Sequence, residues 1–136
     1  MEMNDFLNEI FTIVAKKLRS THNGIFVTGE YTRQPSKFPA VTLDEIENVA
    51  AQELLDSSRQ ENFSALSYRL QVFSNKESGK KAEARKIFAT ADQEMRQLGF
   101  QRVSYTTIPE IYESTIYSIT ATYEAIVGAN GVMYKR

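Results

Sequence analysis

Cysteine is absent from the 136 residues and histidine occurs once. The first absence removes disulfides, thiolate nucleophiles and thiolate metal ligands together, and fits an intracellular or virion component that never needed oxidative stapling. The second leaves any metal site to carboxylates alone, and a Ser/His nucleophile would have to recruit His22 from a turn segment, so His22 reads as a turn residue. No charge of one sign dominates: sixteen Lys and Arg face seventeen Asp and Glu, a formal charge of -1. No global field therefore draws the chain to nucleic acid or an anionic membrane, and contact with DNA has to be local. No apolar run approaches the ~20 residues of a spanning helix, and the opening MEMNDF is not a signal peptide, so the expectation is a protein made in the cytoplasm with no membrane partner. Internal repeats and low-complexity blocks are absent as well.

What is present is two clean periodicities in succession. From Phe63 to Ser74, FSALSYRLQVFS alternates, with Leu66, Tyr68, Leu70 and Val72 on one side and Ala65, Ser67, Arg69 and Gln71 on the other, the pattern of a half-buried strand. After the polar link Asn75 to Gly79, Ala84, Ile87, Phe88, Ala91, Met95 and Leu98 fall on one helical stripe. Lys80, Lys81, Glu83, Arg85, Lys86, Asp92 and Gln93 lie off it, so a long amphipathic helix is expected to lie on a sheet. At 136 residues, one core and one α+β domain are expected.

The remaining elements are read around that pair. Asn4 or Asp5 caps a first helix with Phe6, Leu7, Ile10, Phe11, Val14 and Leu18 inward, ending near Arg19. Residues 20–24 are turn chemistry. Ile25 to Thr32 is a strand in which Gly29 marks a bulge or a close backbone approach. Arg33 to Pro39 is an exposed loop with two prolines, and Ala40 to Glu47 is a strand whose alternation breaks near Glu45, where Ile46 is out of step. Asn48 to Asn62 divides between a short helix over Ala50 to Leu55 and an irregular interaction loop. Gly99 sits where a helix C-cap glycine belongs. Gln101 to Thr107 alternates through Val103 and Tyr105 until Pro109, and Thr115 to Val127 is the longest strand, with Tyr117, Ile119, Ala121, Tyr123, Ala125 and Val127 on one face. Residues 129–131 are a turn, and 128–136 make a flexible or partner-bound tail. The fold predicted is a mainly antiparallel sheet of about five strands against an N-terminal helix and one long central helix.

Catalytic motifs are hard to assemble from these pieces. Asp44, Glu45 and Glu47 are the densest carboxylates, which serve acid/base or Mg²⁺ chemistry only in a pocket that separates their pKa values. On a strand edge they simply discourage wrong pairing. The GlyLys at 79–80 invites a phosphate-loop reading, but that motif requires glycine where Ser74 stands and a hydroxyl where Lys81 stands. Tyr68, Phe73, Tyr105, Tyr117 and Tyr123 are spaced as strand residues, which favours packing over base stacking.

ENFSALSYRLQVFSN at 61–75, SGKKAEARKI at 78–87 and LGF at 98–100 resemble the tail terminators of long-tailed phages, also called tail completion or tail-to-head joining proteins. The resemblance runs from the first helix through the last long strand. It implies a structural virion protein at the head-proximal end of the tail, not an enzyme and without cofactor or metal. Such subunits form a six-membered ring that caps the tail tube, stops its polymerisation and meets the head-tail connector protein, while DNA passes through the lumen without sequence-specific binding. The expected partners are thus further copies of the chain, the tail tube protein and the connector.

Candidate interface residues follow from charge on exposed segments: Arg33 and Lys37 in the proline loop, Asp44, Glu45 and Glu47 at the acidic strand end, Arg59 and Glu61 in the long link, and Tyr134, Lys135 and Arg136 in the tail. Two other readings are a head-completion or connector adapter on the portal side, and a small metal-dependent enzyme or ligand-binding module built on the acidic strand end.

Overall fold

In the computed structural model, which describes residues 7–32, 35–50, 63–109, 115–128 and 133–134, the chain runs α1 (Leu7–Thr21), β1 (Phe26–Thr28), β2 (Ala40–Ala50), β3 (Phe63–Ser74), α2 (Lys80–Gln97), β4 (Gln101–Pro109), β5 (Tyr117–Gly128) and β6 (Met133–Tyr134). The strands form one sheet in the order β1-β2-β3-β5-β4, with β6 added on β5. β1 pairs with β2 in parallel, and all other pairings are antiparallel. The α+β class and the two packed helices expected from the pattern are present, on a mixed sheet.

The alternation of β3 decides which face is covered. Leu66, Tyr68, Leu70 and Val72 are buried together with Val41 and Leu43 of β2 and with Ile119, Ala121, Tyr123 and Ala125 of β5. The same cluster takes in Ile10, Val14, Ala15 and Leu18 of α1 and Ala84, Ile87, Phe88, Ala91 and Met95 of α2, so both helices lie on that one face. α2 starts after Gly79 at φ 89 without a side-chain cap. It closes with Gly99 at φ 100, where the Gly99 amide donates to the Arg96 carbonyl and the Phe100 amide to the Met95 carbonyl, a Schellman ending.

The opposite face carries no helix among the described residues. Its β1 end is covered by the link between β1 and β2, where Pro35 is buried and Phe38 packs with Phe26, Ala40, Phe73 and Ile116 in a second, smaller apolar cluster. The loop is therefore only partly exposed, as at Ser36 and Lys37. β1 is also shorter than the strand expected over residues 25–32. It pairs in parallel with β2, and the chain must turn back after Thr28 to enter β2 from the same end. A Cβ on Gly29 would stand 3.7 Å from the Leu43 carbonyl and from the Phe11 ring, ordinary contact, so this glycine lies at the end of the strand and beneath α1.

Two bulges interrupt the register. One lies between Glu45 and Glu47, leaving Ile46 without a partner opposite it, where the sequence alternation had broken. The other lies between Arg102 and Ser104 and leaves Val103 over. β2 continues to Ala50, so the expected end at Glu47 is too early, and the helix expected over 50–55 loses Ala50 to the strand; residues 51–62 lie outside those described. The expected cap at Asn4 or Asp5 and the turn at 129–131 lie outside them too, and α1 runs two residues past Arg19. Met133–Tyr134 pair with Ile126 and Val127, which makes this part of the expected tail a short strand.

Leu70 is fully buried at the centre of the sheet, whereas Ile13 of α1 is 43% exposed. Leu70→Ala is expected to cost about 2–5 kcal/mol in urea unfolding, and Ile13→Ala to stay within about 0.5 kcal/mol of the parent.

Candidate functional site

The sheet is open along two edges at opposite ends of its strand order. β1 covers β2 only from Ala40 to Thr42, so among the described residues no strand pairs with that side of β2 from Leu43 to Ala50. At the other end, again among the described residues, no strand pairs with the outer side of β4. Exposed apolar side chains sit on both edges: Ile46 at 43%, Val103 at 48% and Tyr105 at 43%.

The acidic end of β2 is divided by its bulge. Asp44 stands opposite Arg69 on β3, away from the helices, and the pair closes bidentately, Nε to Oδ1 at 3.1 Å and Nη2 to Oδ2 at 2.6 Å. The guanidinium lies over the Tyr31 ring, 4.1 Å from its centroid. Hydrogen bonding to Asp44 raises the Arg69 pKa further, so the pair remains ionic. Glu45 stands opposite Tyr68, on the helix side, and is half-buried, while Glu47 stands opposite Ser67 and is exposed. The three carboxylates therefore do not converge on one ion, and among the described residues no group of His, Asp and Glu is placed to hold a metal. Lys37 is exposed in the loop after β1. Tyr134 belongs to β6. Arg33, Arg59, Glu61, Lys135 and Arg136 lie outside the described residues.

The β4 edge is built on a junction that the helical pattern misplaced. Asp92, counted on the polar face of α2, has only 15% of its side chain exposed and receives three donors. The Tyr123 hydroxyl and Arg102 Nη1 donate to its Oδ1, and Arg96 Nε reaches Oδ2 at 3.1 Å. Arg102 lies close to the rings of Phe88 and Tyr105, which meet edge to face with centroids 5.1 Å apart. Arg85, Phe88, Asp92, Arg102 and Tyr105 line a cleft of about 440 Å³ between α2 and β4. Only Tyr105 of this group stood out as an aromatic beforehand. The signal for Asp92 was its place beside Ala91 on a helix with a wide buried stripe.

A second cleft, of about 450 Å³, lies between the end of α1 and the start of α2. His22 Nε2 is 2.9 Å from Thr90 Oγ1, and the Thr90 hydroxyl itself donates to the Lys86 carbonyl, so the imidazole N–H is the donor to threonine. Burial lowers the His22 pKa, against Glu83 and with Lys86. Ser74 donates to Glu83 at 2.6 Å, which occupies the carboxylate beside the lysines. His22 thus ties the turn to α2.

No protein-family model and no curated protein matches the chain.

Burial, and then the bond to Asp92, raise the Tyr123 pKa above the ordinary phenol value. The neutral phenol is the bound form, so its contribution is complete below pH ~10 and falls as pH rises through the unfolded value towards the folded one. Tyr123→Phe is expected to cost about 1–2 kcal/mol near neutrality, since Asp92 keeps both arginines. Urea unfolding between pH ~8 and ~11 is expected to show a steeper loss for the parent than for this variant, and equal slopes would place the phenol outside the junction.

Proposed function

We propose that the chain is a structural virion subunit, a tail terminator that forms a ring on the last ring of the tail tube, stops tube polymerisation and presents its other side to the head connector. DNA passes through the ring. The observation that best supports this reading is the pair of unlike open edges at opposite ends of one sheet. Two different surfaces on opposite sides of a subunit make head-to-tail contacts, and such contacts either close into a ring or run on as a filament. The order of elements supports it as well. The central strand, helix and glycine ending that carry the resemblance lie consecutively in β3, α2 and the turn at Gly99.

The acidic β2 edge, Lys37 and the β6 end of the sheet are the surfaces assigned to neighbours and partners. Charge spread in this way fixes register and excludes wrong partners more than it adds affinity.

Particles produced without this chain are the direct test. Electron microscopy is expected to show filled heads beside unattached tails of irregular length, because joining and length control fail together. Normal-length tails beside heads that have lost their DNA would move the protein to the portal side, and intact virions would overturn both readings.

A further inference from the structure

Both open edges carry a bulge, at Ile46 in the middle of β2 and at Val103 near the start of β4. A bulge bends its strand and breaks the ladder that an added strand would follow, so continuous strand-to-strand pairing between copies is disfavoured at either edge. Contact between edges then falls to side chains. On the β2 edge the bulge leaves over Ile46, an exposed branched apolar side chain, and the edge carries an excess of negative charge: Asp44 is closed on Arg69, while Glu45 on the helix side and the exposed Glu47 add two further carboxylates. On the β4 edge the charge is reversed: the cleft is lined by the Phe88 and Tyr105 rings with Arg85, Arg102 and Asp92, and Arg96 beside it also pairs with Asp92, so three arginines face one carboxylate.

We infer that Ile46 of one copy seats in the Phe88–Tyr105 cleft of the next, with Glu47 set against Arg85 at the rim. The occupant is a second copy of this chain, because the two edges are both apolar at their exposed points and opposite in sign. The two surfaces differ, so the contact is head-to-tail. A β2 edge facing another β2 edge sets like charges together and is rejected, and the same holds for two β4 edges. This assignment rests on the ring reading and specifies its junction.

The absence of cysteine makes a direct test available. Ile46→Cys and Ala89→Cys replace exposed side chains outside the core cluster and leave the Phe88 and Tyr105 rings of the cleft in place. Treated with a short bis-maleimide, a mixture of the two single variants is expected to give a covalent dimer, and each variant alone is expected to give none. The double variant is expected to give a ladder that ends at the ring, with ring size read independently by native mass spectrometry. Glu47→Arg and Arg85→Glu are each expected to slow cross-linking by about tenfold, and the Glu47→Arg/Arg85→Glu double change to restore it.

Rings that form normally without the Ile46–Ala89 cross-link, or dimers from either single variant alone, overturn this junction and leave the ring reading standing. A chain that stays monomeric both in solution and on isolated tail tubes overturns the ring reading and the junction with it.

Discussion

The register of β3 against its two neighbours is the constraint on which the rest of the structure depends. All twelve residues of β3 pair with β5, and ten register pairs join β2 to β3. Because side chains alternate with period two, a slip of one residue would carry Leu66, Tyr68, Leu70 and Val72 to the open face and strip both helices of their floor. Each of these side chains is essentially inaccessible. At about 25 cal/mol per Å² of apolar surface, burying this row outweighs what any one surface ion pair contributes. The open face adds its own register marks. Thr42 donates to Gln71 at 2.8 Å, and Asp44 pairs with Arg69, each across directly opposed positions.

The Asp92 junction does for the β4 side what that row does for the centre. A carboxylate with little exposure is costly without partners, and here a phenol and two guanidinium groups supply them. Removing Asp92 would leave the Tyr123 hydroxyl and Arg102 without their acceptor, a larger loss than removing any one donor. The junction joins α2, β4 and β5 at one point, so the cleft beside it has rigid walls. Tyr105 is half exposed, yet its ring is held against Phe88 and below Arg102 rather than left to rotate freely in solvent.

Local patterns carried much of the fold. β3, α2, β5 and the glycine ending at Gly99 were legible because each depends on a period or a steric requirement contained within a short stretch. The break at Ile46 was visible for the same reason. Val103 was not, since Val103 and Tyr105 alternate cleanly in sequence, and only pairing with Tyr123 and Thr122 on β5 exposes the extra residue between Arg102 and Ser104. The partnership of Asp44 with Arg69 spans 25 positions, and that of Asp92 with Tyr123 spans 31. Charge density alone therefore grouped Asp44, Glu45 and Glu47 as one patch, while register sends Glu45 to the side opposite Asp44 and Glu47. The parallel β1 was illegible past its first residues, because its length is set by where β2 begins and not by its own alternation.

A sheet covered on one face has to settle what its edges do. Full-length strand addition at β2 or β4 would be unselective, since any extended chain offers the same backbone groups. The bulges at Ile46 and Val103 interrupt such a ladder and shift recognition towards side chains, where sign and shape discriminate. Twist then governs what repeated contacts build. Adjacent strands rotate by roughly 20–25°, so across the sheet the β2 and β4 edges are inclined to one another by several times that angle. A head-to-tail contact between inclined edges turns each copy relative to the last instead of translating it. Repeated rotation about one axis curves an assembly back on itself, whereas pure translation would extend it as a flat ribbon. In the proposed ring, this inclination supplies the rotation between successive copies.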